Sequence, residues 1–123
     1  MARILVVDDD KEVRRALGFG LEAAGYEVSE ARDGNEALTQ ARAQTPSLIL
    51  CDIFMPLKDG FETIRELRRE FPAIPIVAMS GASSGGGMDV LRLARQVGAA
   101  EILHKPLHYP GLLGVIRRLL KET

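Results

Sequence analysis

A chain of 123 residues can bury one hydrophobic core and is too short for two, so we expect one domain over residues 1–123. The formal net charge of −1 excludes bulk attraction to nucleic acid or membrane surfaces, and no apolar stretch approaches the ~20 residues of a membrane span. The single cysteine, Cys51, excludes an intrachain disulfide, and its apolar surroundings predict a buried, inert thiol. We therefore expect a cytoplasmic protein.

Five short apolar runs, each bounded by turn-forming or charged residues, predict strands that are buried in a sheet. In chain order they are Ile4–Val7, Tyr26–Ala31, Leu48–Cys51 with Asp52 at its end, Ile76–Ser80 and Glu101–His104.

The segments between and after these strands carry apolar residues at helical spacing. Helix 1 begins at about Lys11 and is stopped by Gly25, whereas Asp33 and Asp59 begin helices 2 and 3 as N-caps with Glu three residues later. Helices 4 and 5 are predicted over about 88–97 and 110–121. The residues expected to face the core are Val13, Leu17, Leu21, Ala24, Ala37, Leu38, Ala41, Phe61, Ile64, Leu67, Phe71, Val90, Leu93, Ala94, Val97, Leu112, Val115, Ile116 and Leu119.

Strict alternation of strands and helices predicts an α/β fold with a parallel sheet and helices on both faces. Periodicity does not specify the strand order. In the doubly wound order 2-1-3-4-5, the first and third strands are neighbours at the switch point, where open α/β sheets bind ligands beyond the carboxyl ends of their strands.

Polar residues follow four of the predicted strands at this edge. They are Asp8 and Asp9, Asp52, Ser80, and Lys105. Three carboxylates in one crevice repel, by about 4 kcal/mol per pair at ~4 Å and an effective dielectric of ~20. Lys105 and a hard divalent cation, for which Mg²⁺ suits an all-oxygen site best, would offset that repulsion.

This combination of acids, metal, lysine and hydroxyl suits phosphoryl transfer. The metal and Lys105 would neutralise charge on the phosphoryl oxygens. Asp52 would be the nucleophile and would form an aspartyl phosphate. The alternatives are a strand-end acid at Asp52, helix capping by Asp8 and Asp9, a surface lysine at Lys105 and a turn residue at Ser80.

Other polar features have structural interpretations. Asp10 is predicted to cap helix 1. His104 and His108 have no second histidine or cysteine near them in the sequence for a transition-metal site, so we expect structural or exposed roles. The glycine-rich run at 81–87 lacks the ending of a P-loop and is interpreted as a flexible loop.

The motifs together resemble the receiver domain of bacterial two-component response regulators, the CheY-like family. The resemblance covers about residues 2–120 and rests on Val-Val-Asp8-Asp9, Asp52 with Met55-Pro56 and Gly60, Ser80-Gly81, and Lys105-Pro106. It implies the strand order 2-1-3-4-5, for which CheY is an established example.

The resemblance also implies site roles. Asp52 would accept a phosphoryl group from a phosphohistidine on a histidine kinase or phosphotransfer protein. Asp9, Asp52 and the backbone carbonyl of Phe54 would ligate Mg²⁺, with Asp8 acting mainly through water.

Ser80 and Lys105 would hold the phosphoryl oxygens, and the bond before Pro106 would be cis. Phosphorylation would shift the population towards a state that binds partners through the face formed by helix 4, strand 5 and helix 5. The partner would be a downstream protein or a missing output domain, and the chain would be a monomer or a phosphorylation-dependent dimer.

Two departures from the family pattern affect the expected output. Ile102 stands where the family usually has Tyr or Phe as a rotameric switch, three residues before the lysine. The glycine-rich loop raises the entropy of ordering, so we expect it to order on phosphorylation.

Two other classes of function compete with a signalling switch. A Mg²⁺-dependent phosphatase would need a second acid two residues after the nucleophile, where Phe54 stands. A phosphate-independent interaction module on the same fold is favoured only by Ile102. We therefore expect a protein that catalyses its own phosphorylation and dephosphorylation and has no separate substrate.

Overall fold

The computed structural model describes residues 2–55, 59–81 and 87–122. Its strands are β1 (Arg3–Val7), β2 (Glu27–Ala31), β3 (Leu48–Asp52), β4 (Ile76–Ser80) and β5 (Glu101–His104). Its helices are α1 (Lys11–Ala23), α2 (Gly34–Ala43), α3 (Gly60–Glu70), α4 (Gly87–Val97) and α5 (Tyr109–Leu119). Pro56 of the Met-Pro pair and residues 82–86 of the predicted flexible loop lie outside the described residues.

The five strands form one parallel sheet in the order β2-β1-β3-β4-β5, which confirms the predicted doubly wound α/β fold. Helices α1 and α5 cover one face, where Leu17 and Ile116 pack in the same apolar cluster. Helices α2, α3 and α4 cover the other face, where the cluster includes Ala41, Ile64 and Val97. Because successive residues of a strand point to opposite faces, β1 sends alternate residues into each cluster.

The predicted caps explain several helix boundaries. Asp10, Asp33 and Asp59 are the N-caps of α1, α2 and α3, and each carboxylate accepts a hydrogen bond from a backbone N–H of the first turn. Gly25 (φ 100°) and Gly98 (φ 117°) follow α1 and α4 in the left-handed region that ends many helices.

The N–H of Tyr26 donates to the carbonyl of Leu21 and completes the turn that ends α1, so β2 begins one residue later than predicted. Tyr26 is nevertheless buried.

Two predicted core positions were wrong. Ala24 is the C-cap of α1 and is exposed. Leu93 is 40% exposed, whereas Ala94 and Val97 are buried and Val90 packs against the core. Residues 90, 94 and 97 form a narrow apolar stripe at helical spacing. Residue 93 lies at the edge of that stripe and is therefore partly exposed to solvent.

Candidate functional site

Three carboxylates converge where β1 and β3 end. Val7 pairs with Cys51 in the parallel register, so the next residues, Asp8 and Asp52, leave neighbouring strands at the same edge. Carboxylate oxygens of Asp8, Asp9 and Asp52 lie within 4.8 Å of one another. Asp8 and Asp52 are buried, whereas Asp9 is exposed, so the cluster opens to solvent on the side of Asp9.

The lysine reaches this cluster from the end of β5. The backbone N–H of Lys105 donates to the carbonyl of Ser80 (2.7 Å), which holds the ends of β4 and β5 together. The Lys105 Nζ lies 2.6 Å from Asp8 Oδ2 and 3.5 Å from Asp52 Oδ2. Ser80 is buried at the last position of β4. The predicted convergence of four strand ends is therefore present, with the ammonium closer to Asp8 than to Asp52.

Backbone and side-chain hydrogen bonds orient Asp8. Its Oδ1 accepts from the N–H of Asp10 (2.9 Å), and its carbonyl accepts from Arg14 Nη1 (2.7 Å). Arg14 also donates through Nε to Glu30 on β2 (3.0 Å). Asp8 is therefore fixed both through its side chain and through its backbone.

Arg14 was not predicted as a site residue. Its position one turn after the N-cap Asp10 could have indicated this contact. Helical side chains lean towards the N-terminus of the helix, so a long side chain there can reach the end of the preceding strand.

Burial raises the pKa of the Asp52 carboxyl to about 6, and the negative charge of Asp8 adds to this rise against the opposing effect of Lys105. For Lys105, burial alone would lower the pKa, but its hydrogen bond with Asp8 and the charges of Asp52 and Asp8 raise it above its ordinary value. The crevice thus holds more negative charge than one ammonium balances.

The residues after Asp52 form the rim of the crevice. The N–H of Phe54 donates to Asp52 Oδ1 (3.3 Å), and the Phe54 side chain is 45% exposed. The N–H of Gly60 donates to the carbonyl of Ile53 (2.8 Å), so the start of α3 lies directly against this turn. The Phe54 backbone therefore contacts the carboxylate directly, while the residue itself is exposed to solvent.

The remaining predicted residues occupy ordinary positions. The Lys105–Pro106 peptide bond is cis, as the resemblance implied. Ile102 is buried in the core cluster on the α2–α4 face of the sheet. Cys51 is a buried free thiol, as predicted. His104 and His108 are exposed.

The donor set fits a hard divalent cation. All three clustered side chains offer carboxylate oxygens, one from an exposed residue, and the unbalanced negative charge favours a bound cation. Asp8, Asp9 and Asp52 are the described residues that could hold Mg²⁺.

The fold and this site define a class of CheY-like α/β domains. The profile of the response regulator receiver domain matches residues 4–117. The chain belongs to the response regulator receiver domain family, whose members are signalling modules of two-component systems rather than classical enzymes.

Curated relatives are response regulators. Response regulator MprA of Mycolicibacterium vanbaalenii is 38% identical over 125 residues, which cover 98% of this chain and 51% of MprA. Transcriptional regulatory protein ZraR of Escherichia coli is 38% identical over 120 residues, which cover 98% of this chain and 26% of ZraR. The chain thus spans about half the length of MprA and about a quarter of ZraR.

Solved structures of similar proteins have the same architecture. Chemotaxis protein CheY4 of Vibrio cholerae superimposes with a TM-score of 0.89 at 32% identity, covering 97% of this chain and 98% of CheY4. A CheY-like receiver domain protein from Methanospirillum hungatei gives a TM-score of 0.91 at 28% identity, covering 98% of this chain and 94% of that protein. Among the described residues, no helix combines the length and apolar character needed to cross a bilayer.

Proposed function

We propose that this domain is a phosphoacceptor switch in which Asp52 receives a phosphoryl group from a phosphohistidine on a kinase or phosphotransfer protein. The observation that carries the proposal is the buried Asp52 carboxylate at the end of β3, which lies near the carboxylates of Asp8 and Asp9 and 3.5 Å from the Lys105 ammonium. Membership of the receiver family supports it.

In the proposed step an Asp52 carboxylate oxygen attacks phosphorus. The new P–O bond forms as the P–N bond to the donor imidazole breaks, and the electron pair returns to that nitrogen. Lys105 and Ser80 stabilise the phosphoryl oxygens as their charge develops. Asp8, Asp9, Asp52 and the Phe54 carbonyl would hold Mg²⁺, which would neutralise charge on the phosphoryl oxygens.

The output is a population shift that begins at the ends of β4 and β5, where Ser80 and Lys105 lie. A phosphoryl group bound by these residues would favour one arrangement of the adjacent face formed by α4, β5 and α5. The partner is a downstream protein or an output domain.

One observation favours a second candidate, a phosphate-independent interaction module. Position 102, where the family usually has a Tyr or Phe switch, holds an isoleucine that is 9% exposed and packs in the core, so no aromatic ring is present there to change rotamer. This removes one known route of output, but it does not account for the buried acids and Lys105.

The test is incubation with acetyl phosphate and Mg²⁺, followed by a phosphate-affinity mobility-shift gel, for the wild type and Asp52→Asn. A stable label on the wild type alone is the expected result. Continuous release of phosphate would instead indicate a phosphatase. A wild type that takes no label would contradict the proposal and favour the interaction module.

A further inference from the structure

The segment that carries Lys105 is anchored at both of its ends. At one end, the Lys105 N–H donates to the Ser80 carbonyl (2.7 Å). At the other end, α5 begins at Tyr109, whose hydroxyl donates to the carbonyl of Ala16 on α1 (2.6 Å). Three residues, 106–108, separate these anchors, so the Tyr109 side chain limits where the lysine backbone can move.

The Tyr109 ring fits against a glycine of α1. A Cβ added to Gly20 would lie 2.3 Å from Tyr109 Cε1 and 2.7 Å from its hydroxyl oxygen. Any larger residue at position 20 would therefore push the ring away from Ala16. Gly20 is a helical residue whose backbone conformation other residues adopt readily, so close contact with Tyr109 is what a side chain there would disturb.

The first turn of α5 lacks the polar restraint that fixes the starts of α1, α2 and α3. The N-caps of α1, α2 and α3 are aspartates that accept backbone hydrogen bonds, whereas the α5 N-cap, His108, makes no side-chain cap bond. An open groove of about 530 Å³ lies between α1 and the segment, and its walls include Val13, Leu17 and Leu107. Buried Leu112 holds α5 on the sheet, and the tyrosine hydrogen bond adds a polar restraint at the end of the helix that has no side-chain cap.

The same helix also holds the acid that faces the lysine. Arg14 of α1 donates to the Asp8 carbonyl (2.7 Å), and Asp8 Oδ2 lies 2.6 Å from Lys105 Nζ. Helix α1 thus contacts the Lys105 segment in two ways. Arg14 holds Asp8, which pairs with Lys105, and Ala16 accepts the hydrogen bond from Tyr109. A change in the Tyr109 contact with α1 would therefore change the separation between Lys105 and Asp8.

We infer that Tyr109 is a positioning residue that sets the location of Lys105 relative to Asp8 and Asp52. The inference rests on the proposed function insofar as Lys105 acts in phosphoryl transfer. Tyr109 touches neither the acids nor the lysine ammonium in this role. It acts through the backbone of residues 105–109.

Two variants disturb the contact in different ways. Tyr109→Phe removes the hydroxyl and keeps the ring, and Gly20→Ala displaces the ring and keeps the hydroxyl. Gly18→Ala is the matched control, because it makes the same change in the same helix and its Cβ would meet Val28 at an ordinary 3.6 Å. Since alanine favours helix over glycine, neither glycine substitution weakens α1 intrinsically.

The first measurement is the initial rate of Asp52 phosphorylation by acetyl phosphate with Mg²⁺. We expect Tyr109→Phe and Gly20→Ala to lower it about fivefold, the factor expected for loss of one neutral hydrogen bond, and Gly18→Ala to leave it unchanged. In a Lys105→Met background, Tyr109→Phe should lower the rate no further, because the residue through which it acts is absent. A merely structural role predicts independent, multiplicative losses.

The second measurement is backbone hydrogen exchange at Lys105 and Leu107, which needs neither phosphate nor metal. Faster exchange in Tyr109→Phe and Gly20→Ala, but not in Gly18→Ala, is expected. Unchanged exchange and rate in both variants would overturn the inference, as would equal fold-losses with and without Lys105. If the wild type takes no label, the proposed function fails, and hydrogen exchange alone decides whether Tyr109 holds the segment.

Discussion

Asp52 combines two requirements that oppose each other in a folded protein. The side chain is 6% exposed and faces Asp8, and both conditions disfavour its charged form. A nucleophilic carboxylate must nevertheless be ionised. Lys105 stabilises the ionised form of Asp52 only in part, because its shorter contact is with Asp8. We therefore expect the ionised Asp52 to lower the free energy of unfolding of the metal-free domain.

That cost predicts a pH dependence of unfolding. The pKa of Asp52 is raised from 3.8 to about 6 in the folded state, so its proton stabilises the fold at low pH and this stability is lost as the pH rises from about 4 to about 6. The shift corresponds to at most about 3 kcal/mol, and solvent screening at the open crevice reduces it to about 1–2 kcal/mol.

Asp52→Asn should therefore be more stable than the wild type by about 1–2 kcal/mol at pH 7 in Mg²⁺-free buffer, with the difference vanishing near pH 4. Urea unfolding at several pH values measures it. A difference that stays constant between pH 4 and pH 7 would show that Asp52 titrates normally in the folded domain.

Phe54 should control how long the phosphorylated state lasts. Phe54 follows Asp52 by two residues, its N–H donates to the Asp52 carboxylate, and the residue is 45% exposed. A bulky apolar side chain at this position should hinder the water that hydrolyses the aspartyl phosphate. We expect Phe54→Asn, whose amide can orient water, to shorten the phosphorylated lifetime several-fold. Decay of labelled protein after removal of acetyl phosphate measures this.

The matched control for that change is Phe19→Asn, because Phe19 is an 80% exposed phenylalanine on α1. Equal lifetimes for the wild type and Phe54→Asn would exclude a shielding role for the ring.

At the scale of elements, α3 shows how a helix start is fitted to a strand end. A Cβ at Gly60 would lie 2.2 Å from the Asp52 carbonyl oxygen and 2.4 Å from Ile53 Cα, which are backbone atoms that cannot rotate away. The same helix is capped by Asp59, whose carboxylate accepts from the N–H of Glu62 (2.8 Å). Glycine is thus required at position 60 because the backbone of Asp52 and Ile53 leaves no room for a Cβ atom.

Gly60→Ala should therefore lower the free energy of unfolding by at least about 2 kcal/mol through overpacking against backbone. Gly114→Ala on α5 serves as the control, since its Cβ would meet nothing within 4 Å and alanine favours the helix. Denaturant titrations compare the two. Were Gly60→Ala as stable as Gly114→Ala, the contact between α3 and the end of β3 would have to be looser than described.

Helix α4 is fixed at its end by a side chain from another helix. The Arg68 guanidinium of α3 donates through Nη2 to the Gly98 carbonyl (2.8 Å) and through Nη1 to the Pro72 carbonyl (2.8 Å). Arginine at a helix C-terminus also interacts favourably with the negative end of the helix dipole. The C-terminal end of α4 is thus held against α3 by hydrogen bonds.

At the scale of the whole molecule, folding brings mutually repelling carboxylates together, and a bound cation would relieve that repulsion. Mg²⁺ that binds only the folded state stabilises it by about 1.4 kcal/mol at a free concentration ten times the dissociation constant. For a domain of this length, that corresponds to a rise in Tm of about 4–7 °C.

We expect this rise in the wild type and a much smaller one in Asp9→Asn, because Asp9 is the exposed member of the cluster and its loss leaves the core intact. Thermal unfolding followed by circular dichroism measures both. NaCl of equal ionic strength controls for screening. The same rise in Tm for Asp9→Asn would place the Mg²⁺ effect outside this cluster.

Much of the fold was predictable because its signals are local. Each strand is a short apolar run, and the caps at Asp10, Asp33 and Asp59 are sequence signatures of helix starts. The errors at Ala24 and Leu93 arose because helical spacing defines an apolar stripe without defining its width. That width depends on how each helix packs on the sheet.

The sequence by itself determined the five strands, the five helices and the polar residue that follows or ends each of four strands, since all of these depend on neighbouring residues. Only the tertiary structure decided that Lys105 lies 2.6 Å from Asp8 and 3.5 Å from Asp52, and that Arg14 and Tyr109 connect α1 to both sides of the site. Lys105 and Asp8 are 97 positions apart in the chain. Their distance follows from strand order and register, which long-range pairing sets and local periodicity does not encode.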